Sequence, residues 1–169
     1  ISTFMDINIL DKNIFYKFKT PNGRGDISKI KIKNKIINFI DESYNANPLS
    51  VSSAIKNYDL IKSGNSHKNL ILGDMLELGK HTKKLHEKIA KDLNLSKINN
   101  VYVYGKHIKY TFDKLVSKKK KIILKNKNEI INLLTNDIKH NDYLMIKGSN
   151  LTGLNSFSNN LKKGNIYAL

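Results

Sequence analysis

The sequence predicts an α/β fold: a Rossmann-like, mostly parallel sheet with helices on both faces and an N-terminal hairpin. Three observations carry that expectation. Leu70-Ile71-Leu72, Val101-Tyr102-Val103-Tyr104, Ile122-Ile123-Leu124 and Tyr143-Leu144-Met145-Ile146 are short continuous apolar runs, as strands buried on both faces require. Segments with apolar residues at helical spacing lie between them, and such alternation needs right-handed crossovers and a parallel sheet. Most of the runs end in a polar or glycine-bearing turn.

Taken in order, residues 1–20 carry apolar side chains without a clean period and read as the end of a preceding domain. Pro21-Asn22-Gly23 is a turn signal, so residues 21–26 read as a linker and 27–169 as the main α/β domain. Ile27, Ile30 and Ile32, then Ile36–Ile40, predict a hairpin joined at Lys33-Asn34-Lys35. Pro48 opens a helix with Asn47 placed as its N-cap; Val51, Ala54, Ile55, Tyr58 and Ile61 follow at helical spacing, and Ser63-Gly64 closes it. A second helix is expected over 82–94 (Leu85, Ile89, Leu93 on one face) and a third over 107–116. A fourth carries Ile130, Leu133 and Leu134, and a last one runs over 154–161.

With 169 residues, the chain has room for one ordinary domain and a short extra element. Its 40% hydrophobic and 26% charged residues fit a globular protein. No apolar run nears the roughly 18 residues of a membrane span, and no secretory signal opens the sequence. The expectation is a cytoplasmic protein without a membrane partner. The absence of cysteine excludes disulfides, thiolate metal sites and cysteine nucleophiles. Ile1, in place of Met, suggests a piece of a longer polypeptide.

Thirty Lys+Arg against fourteen Asp+Glu give a net charge of +16, which first suggests a polyanion partner. The lysines, however, are spread through every segment among equally abundant Asn and Ile. The one cluster, Lys118-Lys119-Lys120-Lys121, reads as a solvated helix-to-strand turn and lacks the interleaved aromatics of a base-stacking surface. No specific nucleic-acid partner is expected. Against this background Arg24 stands out as the only arginine. Its planar fork can grip phosphate or carboxylate at two points, which an ammonium cannot, and Gly23 and Gly25 let the backbone approach a ligand. A chance arginine in a glycine-rich turn is the competing reading.

Parallel sheets bind ligands at the carboxyl ends of their strands. Those ends are Asp41–Pro48, Gly73-Asp74, Gly105 and Lys147-Gly148-Ser149, all expected on one rim. The usual chemistry is missing from them. There is no dinucleotide glycine fingerprint, no Walker-type phosphate loop, no zinc-protease helix motif, no nucleophile elbow, and the five histidines lack metal-ligand spacing. Judged as a self-contained enzyme, the chain is incomplete.

Four segments in order carry a resemblance. Gly23-Arg24-Gly25, Asp41-Glu42-Ser43-Tyr44-Asn45-Ala46-Asn47-Pro48, Leu72-Gly73-Asp74-Met75-Leu76-Glu77-Leu78-Gly79 followed by His86, and Lys147-Gly148-Ser149 are similar to motifs of the Mur ligases of the MurF type, UDP-N-acetylmuramoyl-tripeptide–D-alanyl-D-alanine ligases. The likeness covers about residues 21–165. It implies the C-terminal domain of a ligase of peptidoglycan synthesis, whose central ATPase and UDP-substrate domains lie elsewhere in the parent chain. ATP, with Mg²⁺ held mainly by the central domain, would convert the tripeptide carboxylate to an acyl phosphate that the amine of D-alanyl-D-alanine attacks.

By the same resemblance, Arg24 would be the catalytic residue, reaching the ATP phosphates from the linker. Glu42, where the family more often has Asp, would accept hydrogen bonds from the ribose. Asn45 and Asn47 would offer amides to the nucleotide, although Asn47 also reads simply as a cap. Tyr44 would lie beside the base or cover the strand end. Asp74, Lys147, Gly148 and Ser149 would hold the dipeptide; a strand-end turn and a solvated lysine are the plainer alternatives. Asn150 stands where the family often has Arg. His86 reads as a helix-packing residue. A stand-alone, non-catalytic α/β module binding nucleotide or peptide is the rival to the ligase reading.

Overall fold

The computed structural model describes residues 23–165. The expectations for residues 1–20, and for Pro21 and Asn22, lie outside the described residues. Six strands form one sheet: β1 (Asp26–Ile32), β2 (Lys35–Glu42), β3 (Lys68–Gly73), β4 (Asn100–Tyr104), β5 (Lys120–Leu124) and β6 (Tyr143–Lys147), in the order β1-β2-β6-β3-β4-β5. The β1–β2 pair is antiparallel, and every other pair is parallel. The helices are α1 (Pro48–Leu60), α2 (Thr82–Leu95), α3 (Lys109–Asp113), α4 (Lys127–Asn132) and α5 (Leu154–Lys162). The expected α/β sheet with its N-terminal hairpin is what the chain forms.

Alternation within each strand divides the core in two. Ile40, Leu70, Leu72, Val101, Val103 and Met145 face α1 and α2 on one side. Phe39, Ile71, Tyr102, Leu144 and Ile146 face α4 and α5 on the other. Successive side chains of a strand point to opposite faces, so a run apolar on both parities can only be an interior strand covered twice.

Local chemistry sets the boundaries. The Asn47 side chain accepts the Ser50 N–H at 2.8 Å and the Ser50 hydroxyl accepts the Asn47 N–H at 3.0 Å, a reciprocal cap on α1. The hairpin turn is tighter than expected: Lys35 already pairs with Ile32, which leaves Lys33-Asn34 as the connection, with Lys33 at φ 53°. The third helix is shorter than the expected 107–116; just before it the Asp74 carboxylate accepts the backbone N–H groups of residues 106–108, donors that a helix start leaves without an intrahelical partner. After α4 the chain continues as a wider turn over Leu133–Asp137, where Ile138 N–H donates to Leu133 O at 3.1 Å.

Several of the many lysines are structural. Lys68 Nζ donates to Asp59 O (2.8 Å) in the last turn of α1, and Lys119 Nζ to Ser96 O (2.6 Å) and Ile98 O (2.8 Å) just beyond α2. Lys35 Nζ donates to Leu134 O, Thr135 O and Ile138 O at 2.6–3.0 Å. Each ammonium meets carbonyls that a helix end leaves unpaired, where the helix dipole favours positive charge. The expectation of a wholly solvated Lys118–Lys121 turn is corrected here, since Lys119 is buried. Replacing Lys119 with Ala should therefore destabilise the domain by about 1–3 kcal/mol through the orphaned carbonyls. Lys118→Ala, on an exposed side chain, should stay within about 0.5 kcal/mol of wild type. Urea unfolding of both variants measures the difference, and equal stabilities would contradict the capping role.

Candidate functional site

The parallel pairing brings the carboxyl ends of β2, β6, β3, β4 and β5 to one rim. The strand order changes direction around β6, since β2 connects through α1 past β6 to β3. At this point of the rim lies a cavity of about 250 Å³ lined by Gly23, Arg24, Glu42, Tyr44, Asn45, Asn47, Ser50 and Lys147. The single arginine and the Asp41–Pro48 turn, separate in sequence, thus share one concave surface.

Hydrogen bonds clip the arginine segment to the turn. Tyr44 N–H donates to Gly23 O at 3.0 Å, and Gly25 N–H to Asp41 O at 2.8 Å. Gly23 and Gly25 sit at φ +76° and +86°. At the first a Cβ would lie 2.9 Å from the Tyr44 backbone N, and at the second, where only the movable Glu42 carboxylate is near, the positive φ itself favours glycine. Between them the Arg24 guanidinium lies over the exposed Tyr44 ring, with Cζ 4.4 Å from its centroid. An exposed cation–π contact of this kind contributes about 0.5–1 kcal/mol, enough to orient the side chain without locking it.

Lys147 lies beneath the turn, only 2% exposed, and does not extend into solvent. Its Nζ donates to Asn45 O at 3.0 Å and Glu42 O at 3.3 Å, and stands 3.5 Å from Glu42 Oε2. Burial lowers the Lys147 pKa below the usual lysine value, with the Glu42 carboxylate pulling the other way. Ser149 Oγ donates to Ala46 O at 3.2 Å and accepts Leu76 N–H at 2.9 Å. Gly148 lies against Gly73, whose Cα is 3.2 Å from where a Gly148 Cβ would be. The Lys147-Gly148-Ser149 segment thus ties together the turn after β2 and the turn after β3.

Asp74 is similarly engaged. Oδ1 accepts the N–H of His107 (2.9 Å) and Ile108 (2.7 Å), and Oδ2 accepts that of Lys106 (3.0 Å). This fastens the loop after β4 against the end of β3. Gly105, at φ +133°, must be glycine, because a Cβ would fall 2.5 Å from Asp74 Cγ. A second, wider cavity of about 450 Å³ opens here, lined by Asp74, Leu76, Tyr104, Gly105, Lys125, Thr152 and their neighbours. Reading the sequence assigned no role to Asp26, Ser43, Asn155 and Lys162, which back the smaller cavity; only Ser43 lies in a quoted motif, and only the helical spacing of Asn155 and Lys162 hinted at a shared face.

A family profile described as Mur ligase, glutamate ligase domain, matches residues 27–150. The chain belongs to the Mur ligase family. It is 34% identical over 148 residues to the UDP-N-acetylmuramoyl-tripeptide–D-alanyl-D-alanine ligase of Rickettsia prowazekii, covering 85% of this chain and 32% of that one. The Bacillus subtilis ligase of the same name is 37% identical over 70 residues, 41% of this chain and 15% of the other. Among solved structures, MurF ligase from Thermotoga maritima in complex with ADP superposes with a TM-score of 0.67 at 25% identity, covering 88% of this chain and 33% of that one. MurF from Acinetobacter baumannii shares the fold at a TM-score of 0.73 and 21% identity, over 96% of this chain and 35% of the other. The chain therefore spans about a third of the length of the Rickettsia ligase.

Two features of this Mur ligase domain bear on chemistry. Among the described residues no group of three His, Cys, Asp or Glu side chains could hold a metal ion, and no helix is long and apolar enough to cross a membrane. His86 is fully buried: Nδ1 meets Thr82 O at 2.8 Å, and Nε2 accepts Met75 N–H at 3.1 Å. That arrangement needs the neutral ring protonated on Nδ1, and His86 therefore braces the loop after β3, as the helix-packing reading expected. Burial lowers its pKa below 6.5, outweighing the Thr82 carbonyl and Asp74. The unfolded chain takes up a proton that the folded ring resists, so this contribution to stability is present above the unfolded value and is lost as pH falls below it. Urea unfolding at about pH 7 and about pH 5.5 should show a smaller loss of stability on acidification in His86→Gln than in wild type. Equal losses would contradict the neutral, buried ring.

Proposed function

We propose that the chain is the C-terminal domain of an ATP-dependent acid–amino-acid ligase that adds D-alanyl-D-alanine to UDP-N-acetylmuramoyl-tripeptide in cytoplasmic peptidoglycan synthesis. The observation that supports this best is the shared cavity of Arg24 and the Asp41–Pro48 turn, at the place where a parallel sheet offers its strand ends to a ligand. In this reading residues 1–20 end a central ATPase domain, 21–26 link it to this one, and the UDP-substrate domain lies further upstream in the parent chain. The rim then closes over ATP held by that central domain, and the chain alone neither hydrolyses ATP nor ligates.

Each side chain has a role that its chemistry suits. Arg24 swings from Tyr44 toward the phosphates and balances charge as the γ-phosphoryl group passes to the tripeptide carboxylate, leaving ADP. The dipeptide amine attacks the resulting acyl phosphate carbonyl, the amide forms, and phosphate departs. Glu42, held by Lys147, accepts hydrogen bonds from the ribose hydroxyls. Tyr44 offers a face to the base. Asn45 and Asn47 supply amide groups, Asn47 through its nitrogen while Oδ1 caps α1. Asp74, Lys147, Gly148 and Ser149 frame the dipeptide's place from between the two cavities, Asp74 and Ser149 by fixing the loops after β3 and β4 and Lys147 by holding the turn after β2. Mg²⁺, which shields phosphate charge in such chemistry, would be held mainly by the central domain, as the family resemblance implies.

The test joins this chain to the ATPase and UDP-substrate domains and follows amide formation. Arg24→Ala should lower kcat by about 10²–10³, the cost of removing a charge contact made in the transition state, roughly 2.7–4 kcal/mol. Arg24→Lys should recover only part of it, because an ammonium lacks two-point geometry. Normal rates in both variants would overturn the reading.

A further inference from the structure

Helix α5 lies past residue 150, where the family match ends, yet its polar face supports the smaller cavity, that of Arg24 and the Asp41–Pro48 turn. Asn155, Asn159 and Lys162 recur at i, i+4 and i+7, one side of a helix, while Leu154, Phe157 and Leu161 fill the core on the other. Asn159 Nδ2 donates to Asn155 Oδ1 at 3.3 Å, and Asn155 Nδ2 to Ser43 Oγ at 3.4 Å. Lys162 Nζ donates to Asp26 Oδ2 at 3.1 Å. It also lies 2.7 Å from Asp41 Oδ2, an ion pair with poor hydrogen-bond alignment.

Each carboxylate also holds a segment that lines the cavity. Asp26 Oδ1 accepts the N–H of Gly23, the residue before Arg24, at 3.0 Å. Asp41 Oδ1 accepts the N–H of Ser43, the residue after Glu42, at 3.1 Å and its hydroxyl at 2.5 Å. Asp41 is completely buried. Without a cation between them, two carboxylates so placed would repel, and the buried one would lose its counter-charge.

We propose that Lys162 is a positioning residue for this rim: by bridging Asp26 and Asp41 it holds Arg24 and the Glu42–Asn47 turn together as one rigid unit. The functional meaning rests on the nucleotide reading above, but the mechanical claim is tested without it. Arg24 is the only arginine, so the chain labelled with ¹⁵N-arginine reports a single residue. In wild type the Arg24 backbone order parameter should be about 0.85, the value of rigid backbone. In Lys162→Met it should fall below about 0.6, while in a uniformly ¹⁵N-labelled sample the amides of β3 and β4 keep their wild-type order parameters. Lys162→Arg should restore it. A folded Lys162→Met chain with a rigid Arg24 overturns the proposal. Should Lys162→Met not fold, Asp26→Ala removes the Gly23 acceptor and leaves Asp41 paired; Arg24 should loosen there too, and a rigid Arg24 again overturns it.

In the parent ligase, Lys162→Met should raise KM for ATP about tenfold, the order of one lost charge-assisted contact, with a smaller change in kcat. In an Arg24→Ala background the same change should add little, because the residue it positions is gone. Fully additive effects overturn the positioning role. If Arg24→Ala itself is silent, the nucleotide reading fails, and the order parameters still judge the brace.

Discussion

The insertion of β6 between β2 and β3 is the constraint on which the site depends. Its register sets Ile146 beside Asp41 and Lys147 beside Glu42 on one side, and Lys147 beside Leu72 on the other. An ammonium arrives by this route under a turn made largely of polar residues, with carbonyls above it and little water around it. The pairing could not be shifted by one residue without turning Leu144 and Ile146 from one core face to the other, so the packing of the whole sheet fixes where that charge lies. The rim is thus positioned by the core, and its loops are tied to one another through Lys147, Ser149 and Asp74.

Electrostatics in this protein are local despite the large positive total. Most lysines are scattered, and several inner ones serve helix ends. The cavity stands apart by combining a guanidinium with carboxylates that are each already partnered: Glu42 with Lys147, Asp26 and Asp41 with Lys162. The Lys162 pKa, pulled down by burial, is on balance raised by Asp41 and Asp26, which keeps the bridge charged throughout the neutral range. Arg24, by contrast, is exposed and, among the described residues, rests on the Tyr44 ring, as suits a group that must meet a ligand.

Much of this was legible in the sequence because it follows from periodicity and local chemistry. The apolar strands, the Asn47-Pro48 start of α1, the hairpin and the shared rim all come from patterns within a few residues. The oddity of Arg24 was visible because the composition around it is so biased. The rest depends on partners far apart in the chain. Lys162 meets Asp26 across 136 positions, and no local pattern marks which lysine of a lysine-rich chain will find a carboxylate. Within Lys118–Lys121 only tertiary packing singles out Lys119. The carboxylate that receives the N–H groups ahead of the third helix is remote as well, since Asp74 lies 35 positions before the helix's first residue. Lys147 was expected at the dipeptide through the family resemblance, or else in solvent; its register buries the side chain beneath the turn after β2.

The most direct measurement is a crystal structure of the parent ligase with a non-hydrolysable ATP analogue and closed domains. The account predicts the Arg24 guanidinium lifted from Tyr44 and within about 3 Å of a phosphate oxygen, with Glu42 at the ribose and the Lys147 contacts unchanged. A closed, nucleotide-bound enzyme in which Arg24 points to solvent and the Asp41–Pro48 turn lies away from the nucleotide would contradict it.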